Sequence, residues 1–205
     1  MILRRDFLTI AAATALMSFA PAWAPRARAQ DTGKATSFVK QTGDRLVAVV
    51  NGAGSSQDKR AQMTQILNDA VDVDGIARFC LGRFWRTATP AQQQEYVRLF
   101  HQVLVTNITS KLGEYKGVSF VMGRARTDGE NDVVSTTVNR PNNPPTAVDW
   151  VVTDVSSNPK IVDVLAEGTS LRLTQRQDYA SYLVHNNNSV DALISAMKNQ
   201  VASNG

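Results

Sequence analysis

Residues 118–167 constrain this chain most. Four strand-like stretches, Val118–Arg124, Asp132–Asn139, Thr146–Asp154 and Lys160–Glu167, follow one another with only short turn clusters between them. The clusters are Asp128-Gly129-Glu130-Asn131, Arg140-Pro141-Asn142-Asn143-Pro144-Pro145 and Ser156-Ser157-Asn158-Pro159. None is long enough for a crossover helix, so the strands must pair antiparallel as a meander. In the third stretch Ala147-Val148-Asp149-Trp150-Val151-Val152 alternates only loosely, which predicts partial cover on both of its faces.

Helical patterns flank this block. From Ala35 to Val50 the residues Phe38, Val39, Leu46, Val49 and Val50 make one stripe, ended by Asn51-Gly52-Ala53-Gly54-Ser55-Ser56. A second helix is expected from Gln57 to Ala70, buried through Met63, Ile66 and Leu67. The segment Ile76–Trp85 is too bulky and apolar for a surface loop. Thr89-Pro90-Ala91-Gln92 is a strong helix start, with Thr as N-cap, Pro in the first turn and Gln able to bond back to the cap. Tyr96, Leu99, Phe100, Val103, Leu104, Ile108 and Leu112 then recur at spacings of three and four and mark a core helix. Two further helices are expected over Gln175–His185 and Val190–Met197. The fold class is therefore α+β: N-terminal helices, a curved four-stranded antiparallel sheet, and C-terminal helices, an arrangement able to enclose an apolar pocket.

The first thirty residues read as an export signal. Arg4-Arg5-Asp6-Phe7-Leu8 opens a basic head, an apolar stretch runs from Phe7 to Ala20, and Ala27-Arg28-Ala29 has small residues at cleavage spacing. The apolar run is about half of the roughly 20 residues a membrane span needs. Twin arginines ahead of Asp-Phe-Leu are similar to the twin-arginine signal, with Leu3 and Thr9 departing from its usual pattern, and an ordinary secretory signal is the alternative. The expected organisation is a signal peptide over residues 1–29 and one domain over 30–205, working in the periplasm. Residues 1–29 hold Arg4, Arg5, Arg26 and Arg28 against Asp6, so the full chain's +4, less four arginines and plus one aspartate, leaves +1. The basic character is thus partly an export feature and gives no warrant for nucleic acid as a partner.

Motifs for chemistry are sparse. Cys80 is the only cysteine, so no intramolecular disulfide can form; its neighbours Ile76, Phe79, Leu81 and Phe84 predict burial. His101 and His185 have no zinc spacing and no nucleophile beside them. Gly-x-Gly-x-x-Gly, Walker and Gly-x-Ser-x-Gly patterns are missing from the sequence. Asp149, Asp163 and Glu167 lie among apolar strand residues, where two carboxylates in a cleft can serve as acid and base. Pairing with arginines from Arg78, Arg83 and Arg86 is the preferred reading, with Asp149–Arg78 as the specific expectation. Neither a catalytic residue, a metal nor a cofactor is expected.

Several segments taken in order resemble a known family. They are Ile76-Ala77-Arg78-Phe79-Cys80-Leu81-Gly82-Arg83-Phe84-Trp85-Arg86, Ala88-Thr89-Pro90-Ala91-Gln92-Gln93-Gln94-Glu95-Tyr96, Val148-Asp149-Trp150, and Val162-Asp163-Val164-Leu165-Ala166-Glu167-Gly168-Thr169-Ser170-Leu171. Together they are similar to the MlaC-like periplasmic phospholipid-binding proteins, the toluene-tolerance family, over most of the chain after the signal. The resemblance implies a soluble, monomeric, non-enzymatic carrier that shuttles phospholipid between an inner-membrane MCE-type ABC transporter and an outer-membrane lipoprotein–porin complex. Trp150-Val151-Val152-Thr153 lacks the basic residue that often follows the aromatic, and Leu173-Thr174-Gln175-Arg176-Gln177-Asp178-Tyr179 is closer to the branch associated with hopanoid biosynthesis. A hopanoid is therefore the alternative cargo, and a small periplasmic enzyme or an adaptor on the same fold are the alternative functions. The residues expected to line the pocket are Phe100, Leu104, Ile108, Val138, Val148, Trp150, Val162, Val164 and Leu183, against a plain-core reading of each, because pockets and cores use the same apolar types.

Overall fold

The computed structural model describes residues 26–153, 155 and 157–203, with backbone alone for 26–31. The expected signal segment lies mostly outside this range. Helix α1 (Arg26–Asn51) starts earlier than the stripe from Ala35 implies. Helix α2 (Ser56–Ala70) opens on a capping box: the Ser55 hydroxyl accepts from the Asp58 backbone N–H at 3.1 Å, and the Asp58 carboxylate accepts from the Ser55 N–H at 3.0 Å. The bulky segment forms helix α3 (Val73–Leu81) and a 3₁₀ turn over Gly82–Arg86. Helix α4 (Pro90–Thr109) carries the expected box, with Gln92 N–H donating to Thr89 Oγ1 at 3.2 Å and Thr89 N–H donating to Gln92 Oε1 at 2.9 Å.

Strands β1 (Ser119–Asp128), β2 (Asn131–Asn139), β3 (Thr146–Thr153) and β4 (Lys160–Ala166) form the antiparallel meander. The expectation of four strands needs correction, because a fifth, β5 (Thr169–Ser170), pairs with β4. The two residues between them, Glu167 and Gly168, both have positive φ, 49° and 80°. That is the tight hairpin turn whose twist matches the strands it joins. Helices α5 (Leu171–His185) and α6 (Val190–Ser203) complete the chain.

The apolar residues form three clusters. One joins α3, α4, α5 and α6 around Tyr96, whose hydroxyl donates to the Ala77 carbonyl at 2.9 Å. Tyr96, Phe100 and Tyr179 pack edge-on or tilted there, with centroids 6.0–6.3 Å apart. A second joins α1, through Ala35 and Val39, to Val134, Val152 and Ile161 of the sheet. The third ties α1 and α2 to α4 through Val49, Met63, Ile66, Leu67 and Val105. Cys80 is buried in the first cluster, where loss of water pushes its thiol up to about 12. Phe84 is buried beside it, and Trp85 packs against the same cluster.

Candidate functional site: an apolar cavity between helix and sheet

Strand alternation puts Phe120, Thr136, Val138, Val148, Trp150 and Val164 on the sheet face that looks toward α1. At one end this face packs on Ala35 and Val39 as core, and Val39 also borders the cavity. Further along, Gly43, Leu46, Val47 and Val50 of α1 stand opposite it across a cavity of about 310 Å³. Tyr115, Val118, Arg140, Thr146, Ala166 and Leu171 complete the wall. Leu171 is 51% exposed and forms part of the rim. Gly43 allows a close approach of helix and sheet: a Cβ there would stand 2.6 Å from Phe120 Cζ.

The polar groups on the inner wall satisfy one another. The Trp150 indole N–H donates to Thr136 Oγ1 at 2.9 Å, and that hydroxyl donates to the Val148 carbonyl at 3.2 Å. An indole and a hydroxyl can then line an apolar space without a buried unmet bond. Among the described residues Arg140 is the only charged one in the wall, and its guanidinium carbon lies 4.9 Å from the Tyr115 ring centroid.

Of the residues expected to line a pocket, Val138, Val148, Trp150 and Val164 do so here. The other five require correction. Phe100 and Leu183 are buried in the helical cluster, at 6% and 0% exposure. Leu104 and Ile108 pack at the edges of the helical clusters, since the stripe of α4 faces helices and not the sheet. Val162 sits at a register shift, with Val151 paired to Asp163 but Val152 to Ile161. This bulge breaks the alternation, so Ile161 takes the place beside Val152 that two-residue spacing assigned to Val162. The residues of α1 were missed although their stripe was visible, because nothing in an apolar stripe says whether its partner touches it.

The carboxylates are engaged elsewhere. Asp149, on the other face of β3, accepts from Ser135 Oγ at 2.6 Å and lies 3.4 Å from Arg126. The expected Asp149–Arg78 pair is not formed; Arg78 stacks over Trp85 at 5.2 Å. Asp163, 5% exposed, accepts from Ser170 Oγ at 2.6 Å and from the backbone N–H of Val164 and Arg172 at 2.8 and 3.2 Å. The Arg172 guanidinium stands 3.3 Å away. Asp163 thus ties β4 to the start of α5. Glu167 occupies the exposed β4–β5 turn. His101 Nε2 lies 2.7 Å from Asp74 and His185 Nδ1 2.8 Å from the Ser181 carbonyl. Among the described residues no group of three His, Cys, Asp or Glu is placed to hold a metal, and no helix is long and apolar enough to cross a membrane.

Known proteins share this architecture. A solved structure of a phospholipid-binding protein from Ralstonia solanacearum, in complex with a phospholipid, superposes with a TM-score of 0.69 at 24% identity. The match covers 82% of this chain and 97% of that one, and it shows the fold. The toluene tolerance protein ttg2D of Pseudomonas putida is 25% identical over 142 residues, 68% of this chain. This chain spans 66% of that relative's length, just under two thirds. A family model described as MlaC protein matches residues 40–199, which takes in most of the α1 wall, the whole sheet, α5 and most of α6. The chain belongs to the MlaC family.

Proposed function

We propose that this protein is a periplasmic lipid carrier that holds acyl chains between α1 and the sheet and passes lipid from one membrane to the other. The observation that carries the reading is the cavity: an apolar space whose inner polar groups are already satisfied by each other. Such a wall offers hydrocarbon a dry surface and asks no directional bond of it. The need is large, since burying an acyl chain is worth about 0.8 kcal/mol per CH₂. Two tails of roughly thirty methylenes would cost on the order of 20 kcal/mol to leave in water. At about 310 Å³ the cavity lies at the small end of ligand pockets, so a two-chain lipid fills it and extends through the rim at Leu171.

The family and the phospholipid-bound neighbour support phospholipid as cargo. An inner-membrane MCE-type ABC transporter and an outer-membrane lipoprotein–porin complex are the proposed donor and acceptor, served by a monomer. The test is to purify the protein from the periplasm, extract it with organic solvent and identify bound lipid by mass spectrometry. Near-stoichiometric phospholipid is expected. A hopanoid would change the cargo, and protein free of lipid after native purification would refute the carrier reading.

A further inference from the structure

We propose that Arg140 is the headgroup-selecting residue of the cavity: its guanidinium receives the phosphate of a bound lipid, so phosphate-bearing lipids are taken in preference to neutral lipids with the same tails. This rests on the carrier reading above and adds a selectivity to it.

Three observations meet at this residue. Among the described residues Arg140 is the only charged side chain in a wall otherwise built from apolar and neutral polar residues. It follows the end of β2, and the turn after it, residues 141–145, is exposed, so the charge stands at the exposed turn end of the β2–β3 hairpin. Among the described residues no carboxylate lies within ion-pair distance of it and no acceptor takes a hydrogen bond from its guanidinium. The contrast with nearby arginines is direct, since Arg126 faces Asp149 and Arg172 faces Asp163.

A half-buried guanidinium beside hydrocarbon is costly unless something answers its charge. Here the Tyr115 ring answers part of it, 4.9 Å from the guanidinium carbon. A ring is no lone-pair acceptor for these N–H groups, so the contact leaves their conventional hydrogen bonds to be made. These groups form a planar fork that matches two phosphate oxygens, a geometry an ammonium does not offer. Deeper in the cavity the polar groups are taken, with the Trp150 N–H committed to Thr136. Arg140 is therefore where the wall can recognise a polar group. A diacylglycerol would bury the same tails and leave this fork unmet, whereas a phospholipid would meet it. A sterol-like or hopanoid cargo without phosphate would be disfavoured on the same ground.

The experiment is a competition. Lipid-stripped protein is incubated with vesicles containing equal amounts of dioleoyl phosphatidylglycerol and dioleoylglycerol, re-isolated, and both lipids are quantified by mass spectrometry. Wild type is expected to favour the phospholipid by about tenfold, the scale of charge-assisted hydrogen bonds. R140Q is expected to bring the ratio near parity, by lowering phosphatidylglycerol uptake much more than dioleoylglycerol uptake. R140K, which keeps the charge but loses the fork, should fall between them and carries the test if R140Q does not fold. A preference retained in both variants, or an equal loss of both lipids, overturns the proposal. Wild type taking both lipids equally overturns it while leaving the carrier reading standing, and wild type taking neither refutes that reading itself. Inorganic phosphate titrated alone into wild type is expected not to bind. Phosphate binding that R140Q abolishes would make this a free-anion site and overturn the headgroup assignment.

Discussion

A carboxylate placed on the cavity wall turns lipid loading into a pH-dependent process, and Val164 is the place to put it. Val164 is half-buried, faces the cavity and sits opposite Trp150 in the sheet. The ladder aligns Val164 through Trp150 with Val134 of β2, six residues before Arg140, which directly follows the strand. At about 3.3 Å per residue that is roughly 20 Å along the strand, so no direct ion pair can rescue the new charge. In the lipid-free protein V164D can keep water at its carboxylate and should fold. Loading replaces that water with hydrocarbon, and the group protonates in preference to staying charged. Taking an ordinary aspartate value of about 3.9, protonation costs about 4 kcal/mol at pH 7 and about 1.5 kcal/mol at pH 5, at 1.36 kcal/mol per unit. Lipid affinity of V164D should therefore fall about a thousandfold at pH 7 and only about tenfold at pH 5. V164N should show a loss that does not change over this range, and wild type little change, since among the described residues the cavity wall holds no carboxylate or histidine. The assay is titration of stripped protein with vesicle-borne phospholipid, followed by Trp150 fluorescence and checked by mass spectrometry. V164D loading like wild type at pH 7, or failing to recover at pH 5, would refute the placement of Val164 against lipid tails.

Two further outcomes follow from the fold. D163A removes the acceptor of Ser170 Oγ and of two backbone N–H groups and leaves Arg172 unpaired; the urea midpoint should fall by the equivalent of about 3 kcal/mol, and a change under about 0.5 kcal/mol would show the clamp to be idle. Cys80, raised from an ordinary 9.0 to about 12 by burial, should resist alkylation in the native protein at neutral pH. Because the unfolded chain gives up that proton first, stability should decline as pH rises from about 9 toward 12, and Tyr96 and Tyr179, also raised by burial, act in the same direction. Rapid labelling of Cys80 under native conditions would contradict its burial.

The sequence made the elements legible where local chemistry sets them. Thr89 and Gln92 announce the start of α4, and the clusters of Gly, Pro and Asn mark three of the four hairpins. It did not announce β5, because two residues after Gly168 carry no periodicity, and their pairing depends on the turn at Glu167. Half of the cavity was legible for a related reason: alternation along β2 and β3 points Val138, Val148 and Trp150 to one side. The other half lay in α1, which is less apolar overall than α4, whose Phe100 and Leu104 were the expected lining. In the structure those two residues serve helix-to-helix packing. The bulge at Val162 has no local signature, and it alone moves that residue out of phase. The loss of Asp149–Arg78 follows from geometry that no spacing encodes, since Arg78 lies on α3 against Trp85 and Asp149 across the sheet beside Ser135.

The helical cluster around Tyr96 and the cavity are built from different residues, for none of the cavity-wall positions belongs to the buried set of that cluster. The helical half of the fold is thus packed without cavity-wall side chains, whereas on the sheet side Val39, Trp150 and Val164 serve both the wall and the core between α1 and the sheet. Unloading then need not bring the helical half near unfolding, and bound lipid adds to stability only by mass action. The same separation has an evolutionary reading: substitutions at Val138 or Val148 can retune the cavity for a different tail or ring system while Tyr96, Leu99 and Leu183 hold the helical core unchanged.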